Sequence, residues 1–169
     1  MATTSTGAMY ETVRTRLLTF VPVGFPDTLD TLLRRYVDAN GVTQLAPIGK
    51  ARLHPHYPSD TPVYPFGVLN FLPRFTDGAH HEEREAFDLE LIFVHKPKSL
   101  FWELQALGDI ADQAMKKWAN TAGGFIGAKG RVRQTIPRPP AGSPADRDVI
   151  QELIRYPIIA WPQFLTAVA

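Results

Sequence analysis

The sequence predicts an α+β domain: an antiparallel sheet of about four strands packed against one long helix, with one or two helices ahead of it. Three observations carry this. Residues 86–94 alternate, with Phe87, Leu89, Leu91 and Phe93 on one face and Asp88 and Glu90 on the other, the two-residue period of a half-buried strand. Leu100, Leu104, Leu107, Ala111, Met115 and Trp118 then recur at three- and four-residue spacing, an amphipathic helix. Finally, 63–75, 129–137 and 149–161 are strand-like segments bounded or interrupted by proline.

Taken in order, residues 1–7 are small and polar and read as a flexible arm, with a single domain over 8–169. Met9, Val13, Leu17 and Phe20 give a first helix, and the run from Val21 to Pro26 interrupts it. Asp27 or Thr28 can cap a second helix carrying Leu29, Leu32, Leu33, Tyr36 and Val37 and stopping at Asn40-Gly41. Pro47, Pro55 and Pro58 make 42–60 a proline-rich loop region, with room for one short strand near 50–54. Residues 63–75 form a strand that Pro65 and Pro73 place at an edge or a bulge. The charged turn 76–85 then makes a hairpin with the strand from Ala86. Ile92 and Val94 make the end of that strand apolar on both faces, so that end is expected to be covered twice. Lys96-Pro97 breaks it, and Ser99 caps the long helix, whose Glu103, Asp109, Asp112, Lys116 and Lys117 lie off the apolar stripe. A glycine-rich loop, 120–130, leads to a strand with Arg131, Arg133 and Thr135 on a basic outer face. After a proline-rich linker, 138–148, the last strand runs 149–161, with Pro157 marking an edge or bulge.

Hydrophobic content of 44% and charged content of 21% are those of an ordinary globular protein, and a net charge of +1 points to no particular partner. With no cysteine the chain has no disulfide, thiolate metal site or cysteine nucleophile, and it suits a reducing compartment. Neither a secretory leader nor an apolar run long enough to span a membrane is evident.

Catalytic and ligand-binding patterns are weak. His54, His56, His80 and His81 could serve a small metal-dependent hydrolase. However, they lack the H-E-x-x-H spacing, and adjacent histidines in a hairpin tip diverge. The loop 123–130 has glycines and Lys129, but its spacing and its helix-to-strand order are wrong for a phosphate-binding loop. No serine sits in a nucleophile elbow. The chain therefore reads as a non-enzyme without cofactor or metal. What stands out is a cationic run, Lys129, Arg131, Arg133 and Arg138, suited to a phosphate backbone or an acidic protein surface. Charge guarding an exposed strand against aggregation explains the same residues.

The order of elements resembles the tail terminator, or tail completion, proteins of long-tailed bacteriophages. The resemblance is carried by the first helix at 9–20, PVYPFGVLNF at 62–71, the strand and helix of 87–118, RVRQTI at 131–136 and VIQELIRYPIIAW at 149–161. It implies a structural virion protein, assembled in the host cytoplasm and located at the head-proximal end of the tail. Six copies would form a ring that caps the tail tube, stops its polymerisation and joins it to the neck, with DNA passing through the channel. The implied partners are copies of itself, the tail tube protein and a neck or connector protein. A head-completion or neck connector protein of the same particle is the nearest alternative. Within this reading Lys129, Arg131, Arg133 and Arg138 are ring or channel contacts, and Asp77, His80, His81, Phe125 and Ile126 are loop contacts.

Overall fold

Alternating side chains along β4 (Phe66–Pro73), β5 (Glu85–His95) and β7 (Ile150–Ala160) build the centre of the molecule. The computed structural model describes residues 5–59, 62–73, 85–96, 101–116, 132–137 and 149–160. Three helices, α1 (Ser5–Thr19), α2 (Leu29–Arg34) and α3 (Phe101–Lys116), lie against one face of the sheet. The remaining strands are β1 (Arg35–Val37), β2 (Thr43–Leu45), β3 (Leu53–His54) and β6 (Val132–Pro137).

The main sheet has the order β3-β4-β5-β7-β6. Its four long strands are antiparallel, as the sequence predicts, and β3 adds a two-residue parallel margin at Gly67 and Val68. The fold is α+β. The expected single long helix is not found: α3 has 16 residues and α1 has 15, and they share the task of covering the sheet.

Register decides the faces. Leu69, Leu89, Leu91, Phe93, Ile154 and Tyr156 meet Val13, Leu17, Leu29, Leu33, Leu104, Leu107, Ile110, Ala111, Ala114 and Met115 in one core. On the opposite face Phe66, Val68, Ile92, Val94 and Val149 form a second, smaller core, which accounts for the doubled apolar pattern at the end of β5. Tyr57 stands edge-on to Phe66 there at 6.3 Å.

Several expectations change. Helix α1 begins at Ser5, inside the stretch expected to be an arm. The second helix ends at Arg34 instead of Asn40-Gly41, because Tyr36 and Val37 enter a hairpin with β2. Asp112 is 5% exposed instead of lying off the stripe, and the Tyr156 hydroxyl donates to it at 2.6 Å. Strand β7, expected to be an edge or a bulged strand, lies between β5 and β6. Pro157 pairs with Asp88 of β5 and lies beyond the described pairing of β7 with β6, which runs from Ile150 to Arg155.

Candidate functional site

Most of the residues singled out in the sequence lie outside the described residues: Asp77, His80 and His81; Phe125, Ile126, Lys129 and Arg131; and Arg138. Arg133 is placed in β6, the outermost strand, opposite Ile154. Gln134, opposite Leu153, is exposed.

His54 closes β3 and tilts on the Phe66 ring at 6.3 Å. Burial pushes its pKa below the ordinary value, and the cationic Arg52 and the nearby His56 and Arg14 push it the same way. Such a setting opposes a bound cation as much as a bound proton. Among the described residues no group of three potential metal ligands comes together.

Two features of the surface remain. The first is a cleft of about 360 Å³ between α2 and α3. Phe25, Pro26, Leu32, Ala106 and Ile110 form its apolar walls, and Asp27, Arg35, Glu103, Gln105 and Asp109 its polar rim. The chain before α2 is pinned in place by Gln113, whose side chain accepts from the Val23 N–H at 2.9 Å and donates to the Val23 carbonyl at 3.0 Å. Thr28 caps α2 by accepting from the Thr31 N–H at 3.2 Å. The Arg35 guanidinium reaches back to Asp27 at 2.9 Å. Behind the rim, His95 Nε2 lies 2.7 Å from Glu103 Oε2, and His95 Nδ1 is buried without a hydrogen-bond partner among the described residues. Among the described residues the lining carries carboxylates, a guanidinium and an imidazole, but no hydroxyl, thiol or amine. The cleft is equipped for binding.

The second feature is the β1–β2 hairpin. Asp38 builds its turn, accepting from the N–H groups of Asn40 and Val42 at 2.9 Å and from the Gln44 amide at 3.0 Å. The Val42 N–H and then the Gln44 amide hold the Asp38 carboxyl below its usual pKa. Gly41, at φ 78°, takes the left-handed position that such a turn needs. Val37, Val42 and Leu45 are exposed, and Ile48, in the following turn, is 88% exposed.

The hairpin is tied to the body by Arg52. Its Nε donates to the Pro65 carbonyl at 2.9 Å, its Nη1 to Arg34 O at 3.4 Å and its Nη2 to Arg35 O. No carboxylate is among these partners, and burial lowers the Arg52 pKa. Sequence reasoning missed both hairpin and anchor. The hairpin had a readable signal, with strand formers on either side of Asn40-Gly41. The anchor had none, since a guanidinium that binds backbone carbonyls leaves no side-chain pattern. No protein-family model matches this chain, and no match was found among the curated proteins or the solved structures compared with it.

Proposed function

We propose that this chain is a structural virion protein, a tail terminator that forms a hexameric ring on the head-proximal end of a phage tail tube. The ring stops tube polymerisation and presents the surface to which the neck joins. The observation that carries this reading is the β1–β2 hairpin with its following turn. It presents Val37, Val42, Leu45 and Ile48 to solvent on an element too small to be stable alone. An apolar surface of this kind marks a contact that another protein completes. The outermost strands of the sheet among the described residues, β3 and β6, support the same reading, as does the resemblance in element order.

Arg131, Arg133 and their neighbours would then face the channel or an acidic neighbouring subunit. Replacing Arg131 and Arg133 with glutamate should leave the monomer folded by circular dichroism and block head–tail joining. Normal joining by tails of normal length would overturn that assignment. A neck connector would use the same kind of ring. Offering the purified protein both tail tubes and filled heads separates the two roles, the terminator binding tubes.

A further inference from the structure

We propose that the cleft between α2 and α3 receives residues 45–50 of a second copy of this chain. Ile48 enters its apolar part, and the Lys50 ammonium meets the carboxylates of its rim. The inference deepens the ring reading above and rests on it, because it names the contact through which one subunit would hold the next.

Both halves of the contact are incomplete in a single copy. Ile48 is the most exposed of the large hydrophobic residues among those described, at 88%, and Leu45 three residues earlier is 51% exposed. The turn that holds them out is already shaped: the Lys50 N–H donates to the Pro47 carbonyl at 3.1 Å, and Gly49 sits at φ 85°. Ordering it on binding therefore costs little, which favours association. The cleft is the complement, an apolar recess between Phe25, Leu32 and Ile110 large enough to admit aliphatic side chains.

Charge agrees with shape. Asp27, Glu103 and Asp109 line the cleft against one guanidinium, that of Arg35, which is already engaged by Asp27. The incoming segment carries Lys50, which is exposed and makes no ion pair among the described residues, and no acid between 45 and 50. A cation entering a rim of net negative charge gains specificity and orientation. Among the described residues nothing fills the cleft, and Ile48 of the same chain stands in solvent. Donor and receptor are different patches, so the contact is head-to-tail, the type that closes into rings when its rotation permits.

The absence of native cysteine makes the contact directly measurable. Ile48→Cys protein is mixed with Ala106→Cys protein under mild oxidation, and disulfide-linked dimers are counted on non-reducing gels. The mixture should cross-link at least roughly tenfold faster than either variant alone, because disulfide geometry demands close Cβ atoms. The double variant should give a ladder of linked chains, and Ile48→Asp should weaken association of the full chain in sedimentation at least about tenfold. A mixture no faster than its components, or a double variant linked only within one chain, would overturn the proposal. Rings on tail tubes without the cross-link would sink this contact and spare the terminator reading. Cross-linking without rings on tubes would do the reverse.

Discussion

Replacing Arg52 tests how the projecting hairpin is held to the body. Its guanidinium reaches two other chain segments, donating to Pro65 O at 2.9 Å, to Arg35 O, and at a long 3.4 Å to Arg34 O. A hydrogen bond from a charged donor contributes roughly 1.5–3 kcal/mol, and the lower figure applies to a half-buried group that water can partly replace. Arg52→Met keeps most of the aliphatic stem and deletes the donors, so a loss of about 3 kcal/mol is expected. Against a total stability of roughly 5–15 kcal/mol for a domain this is a large effect. Arg52→Lys keeps the charge but offers a point donor that cannot fork across carbonyls of separate segments, and should restore about half at most. Urea unfolding gives the stability change, and hydrogen exchange at Tyr36 and Val37 reports whether the hairpin loosens with it. A loss below about 0.5 kcal/mol for Arg52→Met, the ordinary range of surface substitutions, would refute the reasoning. Wild-type stability in Arg52→Lys would refute the claim that the fork matters.

Other perturbations follow from the same structure. A Cβ at Gly67 would lie 2.8 Å from Leu53 Cδ1 and 3.2 Å from the Phe93 ring. Gly67→Ala should therefore cost about 1–3 kcal/mol of overpacking, measured by urea unfolding, and Leu53→Ala in the same chain should relieve the clash. Thr28→Ala removes the cap of α2 and should cost about 1 kcal/mol. His54 has a lowered pKa in the fold, so the unfolded chain binds its proton first as pH falls. Its contribution is intact above the ordinary value of 6.5 and is lost as pH drops through the lowered folded value. The difference in stability between wild type and His54→Gln should thus shrink on acidification between about pH 8 and 5, and a difference that grows would contradict the assignment.

The core sheet was legible because its signals are local and periodic. Leu89, Leu91 and Phe93 alternate on a half-buried strand, and Leu104, Leu107, Ala111 and Met115 repeat on a helix, so the β4–β5–α3 portion follows from the sequence alone. Position of a strand within the sheet is not local. Pro157 argues for an edge or a bulge, yet β7 lies between β5 and β6, and only the long-range pairing of residues 132–137 with 150–155 puts it there. Tyr36 and Val37 fit either a helix face or a strand, and the turn chemistry of Asp38 and Gly41 decides between them. Asp112 looked like a solvated helix residue until the Tyr156 hydroxyl, 44 residues away, was brought to it by packing. The cleft was invisible for the same reason: its walls come from residues 25–35 and 103–110, and only the tertiary fold sets them face to face.

Electron microscopy of tail tubes incubated with the purified protein tests the central claim most directly. A ring seated on one end of each tube, with no further elongation when tube subunits are added, is the predicted result. Tubes that keep growing with bare ends, beside a protein that stays monomeric, would contradict it.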